Sequence, residues 1–217
     1  MMKEKVEFIV LSHTRYGENS VVLHTLCKGY GRKGFLVKVG KKTRPAFFQP
    51  LNIIDAVATV NPRSDLWWAG SLSARTPLNG IRGDIRKNTM SLFMGEVLFK
   101  AIKEGAGEEG LFDWCERSIL TLDALETDFP NYHLWFLLEL SGALGFSPTA
   151  ADLAPFAGER LKEMNRFLSV PFEEAMLLPL SGASRNEIAQ AVLHYLEHHT
   201  ESAINVRSLN VLRDVFA

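Results

Sequence analysis

The chain has 217 residues, 47% of them hydrophobic and 23% charged, with a mean hydropathy near zero. That composition supports two small domains with a sizeable core and excludes disordered and collagen-like polymers. Taken whole, a formal net charge of −1 argues against a nucleic-acid binder, because phosphate backbones are held by surplus Lys and Arg.

The charge is unevenly spread. Residues 1–80 hold 12 Lys/Arg against 5 Asp/Glu, a net +7, while residues 81–217 hold 12 against 20, a net −8. Each domain presents its own field to a partner, so the basic half must be judged alone. This division predicts a basic, nucleic-acid-binding domain over 1–80 and an acidic, protein-interacting domain over 81–217.

In chain order, runs rich in Val, Ile, Phe, Leu and Thr at 6–13, 20–27, 34–39, 53–60 and 67–74 alternate with Gly, Asn, Pro and Asp punctuation. They predict five strands and a small β-barrel. From Ile85 the spacing turns helical: Met90, Phe93, Met94, Val97, Leu98 and Ile102 form one apolar stripe. Further helices are expected at 111–125, 132–144, 187–199 and 209–215, with Ser184 and Glu187 as a capping box for the fourth. The expected class is α+β, a barrel followed by an all-α domain.

Between Lys28 and Arg44 stand seven basic residues, Lys28, Arg32, Lys33, Lys38, Lys41, Lys42 and Arg44, and no acidic one. Unneutralised in a surface loop they would repel one another, which points to an anionic partner. Tyr30, Phe35, Phe47 and Phe48 are candidate stacking platforms for unpaired bases, or else core and barrel-end residues. The G-x-G-x-x-G run Gly29–Gly34 is not a dinucleotide site. It leads into the strand-like Phe35-Leu36-Val37-Lys38-Val39, with no helix N-terminus to receive a pyrophosphate. It reads as a tight hairpin with Arg32 and Lys33 at its tip.

Nothing predicts catalysis. His194 and His198 stand four apart on a helix, but Tyr195 follows His194, so the metalloprotease motif is absent and an exposed polar face is expected. Cys27 and Cys115 read as buried small hydrophobes. No G-x-S-x-G or Walker A sequence occurs. No enzyme, metal or cofactor is therefore expected. Two cysteines, no signal-like start and no long apolar run suggest a reduced, cytoplasmic setting without membrane contact. In the helical half, Trp114 and Trp135–Leu138 are candidates to line a groove for a partner peptide, with burial in the core the stronger reading. Arg117, Arg160, Lys162 and Arg166 are candidates to flank a groove for an acidic peptide, or else paired surface charges.

These segments also carry a resemblance. Phe8–Ser20 (F-I-V-L-S-H-T-R-Y-G-E-N-S), Gly29-Tyr30-Gly31 with its basic sequel, Phe48-Gln49-Pro50-Leu51, Glu139–Pro148 and Val206–Arg213 resemble, in order and spacing, the RecO family of bacterial recombination mediators. The resemblance implies an N-terminal OB-fold followed by a helical domain, and a non-enzymatic, nucleoid-associated role in DNA repair. It implies binding of single- and double-stranded DNA, annealing of complementary strands, a complex with RecR, contact with the C-terminal tail of single-stranded DNA-binding protein, and help in loading RecA. Arg15 lies in the matched opening segment and joins the basic stretch as a DNA-binding candidate. Many relatives carry a four-cysteine zinc site in the helical domain; only Cys115 lies there in this chain, so zinc is not expected. The alternative reading is an RNA-binding OB protein or a scaffolding adaptor without annealing activity.

Overall fold

A computed structural model of the chain describes residues 2–40, 44–61, 63–64, 66–105 and 110–216. It divides into two compact units, one of residues 1–78 with 102–117 and one of residues 79–101 with 118–217. The segment 102–117 therefore groups with the strands, although the sequence pattern counts it with the helices. Because it brings Glu104, Glu108, Glu109, Asp113 and Glu116, the strand unit carries 14 Lys/Arg and 10 Asp/Glu, net +4 rather than +7.

In the first unit, β1 (Met2–Tyr16), β2 (Ser20–Cys27), β3 (Gly31–Lys38), β4 (Ile53–Val60) and β5 (Leu66–Ala74) form a closed barrel in the order β1-β2-β3-β5-β4. Only β3 and β5 run parallel; the other four pairings are antiparallel. This is the OB-fold. The 15-residue β1 is longer than its apolar run suggests because it serves two partners: Met2–Ile9 pair with β4 and Phe8–Tyr16 with β2. A bulge between Val10 and Ser12 bends the strand at the change of partner.

Strand alternation sorts the barrel. Val6, Phe8, Val10, Val21, Leu23, Phe35, Val37, Ile54, Ala56, Ala58, Trp67 and Ala69 fill the interior. Phe8 and Phe35 stack at 4.8 Å, with Trp67 edge-on to Phe35 at 6.1 Å. A short 3-10 helix, Pro45–Phe48, brings Phe48 onto this core.

The second unit contains α1 (Asn79–Gly83), α2 (Ile85–Ala101), the latter part of α3 (Leu111–Ala124), α4 (Tyr132–Ala143), α5 (Ala150–Ala157), α6 (Leu161–Ser169), α7 (Phe172–Met176), α8 (Gly182–Thr200) and α9 (Ser208–Val215). α4 is apolar around its circumference and is its central element: Leu134, Phe136, Leu137, Leu138 and Leu140 are all buried. Just before it, the buried Asn131 amide donates to the carbonyls of Ala175, Met176 and Leu178 at 3.1, 3.2 and 2.9 Å, fixing the end of α7. At α1, a side chain on Gly80 would collide with the Asp123 carbonyl, which accepts from Lys87 Nζ at 3.0 Å.

The expected capping box at Ser184 and Glu187 is not formed. α8 starts earlier, at Gly182, and its cap is Ser181, whose hydroxyl accepts from the Ser184 N–H at 3.0 Å. Glu187 instead pairs with Arg160. A true capping box opens α5, where Thr149 and Asp152 exchange hydrogen bonds.

Candidate nucleic-acid interface

The seven-residue basic stretch is not one surface loop. It begins at the β2–β3 turn, runs the length of β3 and continues to the short 3-10 helix, so alternation and neighbours give each cation a different environment. Lys28 lies in the β2–β3 turn and is ion-paired, at 2.9 Å to Asp113 and 3.9 Å to Glu7; the Asp113 bond holds its ammonium above the usual lysine range. Arg32 is within β3 and not at the hairpin tip. Its side chain is only 16% exposed, donating through Nη1 to the Ile102 carbonyl at 2.8 Å, with Nη2 3.7 Å from Glu104. Burial pulls its guanidinium below the ordinary arginine value. Lys33 shares the face of Phe35 and Val37 and sits 4.7 Å over the ring of the core residue Trp67. The turn itself is made by Gly29 and Gly31, with φ of 75° and 66°, a region that suits glycine.

The remaining described cations are arranged differently. Lys38 closes β3 on its outer face, exposed, with Nζ 5.8 Å from the Trp68 ring centroid. Arg15 is exposed at the far end of β1, opposite Val21, and Arg44 is exposed just before the 3-10 helix. Neither Arg15 nor Arg44 makes an ion pair with a described residue. Lys41 and Lys42 lie outside the described residues.

The proposed aromatic platforms also redistribute. Phe35 and Phe48 are buried and Phe47 packs against the barrel core. Tyr30 stands edge-on to Trp67 at 4.9 Å with its hydroxyl donating to Glu4 at 2.8 Å. The exposed aromatics of this unit are Tyr16 (60%) and Trp68 (46%), which the sequence reading did not single out. The signal was present in Trp67-Trp68: two consecutive aromatics in a strand must face opposite sides, so one fills the barrel and the other stands on its surface.

The barrel's outer face has a covered end and an open one. Ile9, Leu26 and Ile53 face outward yet are buried, and Arg32 is tied to Ile102 beside them. Toward the β1–β2 turn, the cross-strand rows Thr14–Val22–Leu36–Trp68 and Tyr16–Ser20–Lys38 run over β1, β2, β3 and β5. His24 joins this face, its Nε2 3.1 Å from Thr14 Oγ1; burial, reinforced by the Arg32 charge, lowers its pKa. β2, β3 and β5 contain no Asp or Glu. Most described acids of the unit stand elsewhere: Glu4 and Glu7 in the first half of β1, Asp55 on β4, Glu104 beside Arg32, and Asp113 and Glu116 on α3, where Arg75 bridges Glu7, Asp55 and Glu116. Glu18 is exposed in the β1–β2 turn, an acid at the open end. An exposed indole and cations on strands that lack acids, beside a tyrosine ring at the end of β1, can stack a base and neutralise its phosphate.

Of the other candidates, Arg160 is held between Glu187 (2.7 Å) and Glu163 (3.0 Å), the paired-charge alternative, while Lys162 and Arg166 are exposed on α6. Arg117 is exposed in the barrel unit. His194 and His198 are exposed on α8. Burial pushes the Cys27 thiol up to about 12 and the Cys115 thiol higher still, disfavouring the thiolate that a metal would need. With one cysteine after Cys27, the chain lacks the donors of a four-cysteine zinc site. No helix among the described residues is long and apolar enough to cross a membrane.

Comparison with known proteins accords with this architecture. The family profile described as Recombination protein O N terminal matches residues 1–68, and that described as Recombination protein O C terminal matches residues 82–154. A protein of Bacteroides fragilis named DNA repair protein RecO is 30% identical over 243 aligned positions, covering 99% of this chain and 100% of the relative. Proteins of the same name from Phocaeicola vulgatus and Flavobacterium psychrophilum are 28% and 26% identical, each over the full length of both chains. Two matched profiles in the order of the barrel and the helices, together with full-length relatives, establish that the chain belongs to the RecO family.

Proposed function

We propose that this chain is a non-enzymatic mediator of DNA repair and homologous recombination that binds single- and double-stranded DNA on the open end of its barrel. On this reading it anneals complementary strands and, with RecR, helps to load RecA onto DNA coated by single-stranded DNA-binding protein. The barrel unit is the DNA-binding part, and the acidic helical unit is the part that meets protein partners, with Lys162 and Arg166 as exposed charges for an acidic tail. The observation that carries the DNA reading is the absence of Asp and Glu from β2, β3 and β5, whose outer face presents Lys38 and Trp68 beside Tyr16. Family membership and relatives named for DNA repair support the wider role.

Annealing needs no bond chemistry. A mediator must hold strands by their backbones, leave base edges available and let the duplex go, which a salt-sensitive phosphate site does better than base-specific pockets. Arg15, Lys38 and Arg44 supply that site, with Lys41 and Lys42 between them in sequence, while Lys28 and Arg32 hold the barrel unit together and Lys33 lies over Trp67.

The test is annealing of complementary strands coated with single-stranded DNA-binding protein, with and without this chain. Acceleration that is lost when the coating protein lacks its acidic tail supports the mediator. Tight binding without acceleration, or a preference for RNA of the same sequence in competition, contradicts it.

A further inference from the structure

We infer that Trp68 is a base-stacking platform that makes the open barrel face favour unpaired strands over duplex. The inference rests on the DNA-binding reading and adds to it a residue that sets specificity. Trp68 is a large aromatic left 46% exposed in the middle of a sheet, next to the buried Leu36 on β3. Its backbone is held on both sides, paired with Leu36 in the parallel ladder to β3 and with Thr59 in the antiparallel ladder to β4. A platform fixed in two ladders loses little freedom when a base settles on it.

This indole is not what fills the barrel interior. Trp67 already fills the interior at that level, 3% exposed, and its ring nitrogen donates to the Asn61 and Ser64 carbonyls at 2.9 Å each. Trp68 contributes a π-face at the surface, with the Lys38 ammonium over the ring, 5.8 Å from its centroid, a cation that a stacking base would displace towards its own phosphate. A nucleotide whose base stacks on the indole has its phosphate within reach of that cation. Bases in a duplex are stacked on one another and offer no free face, so the indole adds affinity only for a strand that is unpaired. Stacking releases no counterions, so the contribution is independent of salt, whereas that of Lys38 is not.

The test is a fluorescence-anisotropy titration of a labelled single-stranded oligonucleotide and of its duplex over a range of salt, for the wild-type chain, Trp68→Ala, Trp68→Phe and Lys38→Ala. Trp68→Ala is expected to weaken single-strand binding about tenfold, leave duplex binding within about twofold and leave the salt slope unchanged. Trp68→Phe, which keeps a ring and the strand's packing, is expected to retain most of the affinity, and Lys38→Ala to weaken both substrates and flatten the slope. Equal losses on both substrates for Trp68→Ala, or no loss at all, overturn the stacking role while the DNA-binding reading stands on the Lys38→Ala result. A wild-type chain that binds neither substrate overturns both.

Discussion

Lys38 and Trp68 stand on the adjacent parallel strands β3 and β5, with the lysine ammonium 5.8 Å from the centroid of the indole. Arg32, six residues earlier on the same strand and on the same face, is drawn to the Ile102 carbonyl. Strand alternation puts both cations outward; the neighbour each one meets gives them different roles.

That difference is measurable. Arg32→Ala leaves the Ile102 carbonyl without its guanidinium donor and is expected to cost about 1–3 kcal/mol of stability. DNA affinity of the folded protein should stay within about twofold. Lys38→Ala should do the reverse: unchanged stability, and affinity for single strands lowered several-fold with the salt slope reduced by about 0.7. Urea denaturation and anisotropy on the same preparations check both.

Glu96 on α2 caps α9 from outside, accepting from the backbone N–H groups of Arg207 (3.1 Å) and Ser208 (2.9 Å) and from the Ser208 hydroxyl (2.6 Å). Burial alone would raise its pKa, but these bonds outweigh it and hold the carboxyl below the usual range. A depressed carboxylate stabilises the fold at neutral pH, and that contribution is lost as pH falls through the acid range. Glu96→Gln is expected to cost about 1 kcal/mol at pH 7 and progressively less toward pH 3, read from urea midpoints across that range.

His133 lies buried in the helical unit, its imidazole pushed down to about 3 by burial and by the positive field of Arg185. Above pH 6.5 it is neutral in both folded and unfolded chains and contributes no pH dependence. As pH falls below 6.5 the unfolded chain takes up a proton that the folded one refuses, and stability drops by up to about 1.4 kcal/mol per pH unit. His133→Leu should flatten the stability curve between pH 6 and pH 4, as seen by thermal melts.

Gly80→Ala tests the packing of α1. The added methyl meets the Asp123 carbonyl, a backbone atom that also accepts from Lys87, and cannot be accommodated by rotating a flexible side chain. A loss of about 1–3 kcal/mol is expected, with DNA affinity of the folded protein unchanged.

The barrel was legible in the sequence because alternation and glycine turns are local signals, and β2 and β4 coincide with their apolar runs. The ends of β1 were not, since Glu4, Lys5 and Thr14 carry no apolar signal and are held by cross-strand pairing. The long apolar helices α2, α3 and α4 were legible for the same local reason. α5, α6 and α7 were missed: they are eight, nine and five residues long, α5 contains Pro155, and each buries only two side chains. The candidate site shows in the sequence as charge and not as geometry. Counting cations finds the region, whereas only pairing reveals that Asp113 and Ile102, far along the chain, engage Lys28 and Arg32.

Whether the open end of the barrel near the β1–β2 turn holds DNA is decided by the salt dependence of single-strand binding for the combined Arg15→Ala, Lys38→Ala and Arg44→Ala chain. Affinity lowered by at least tenfold and a log-log salt slope shallower by about 2 are expected, with an unchanged melting temperature. A slope and affinity equal to the wild type's, in a chain that melts normally, would contradict it.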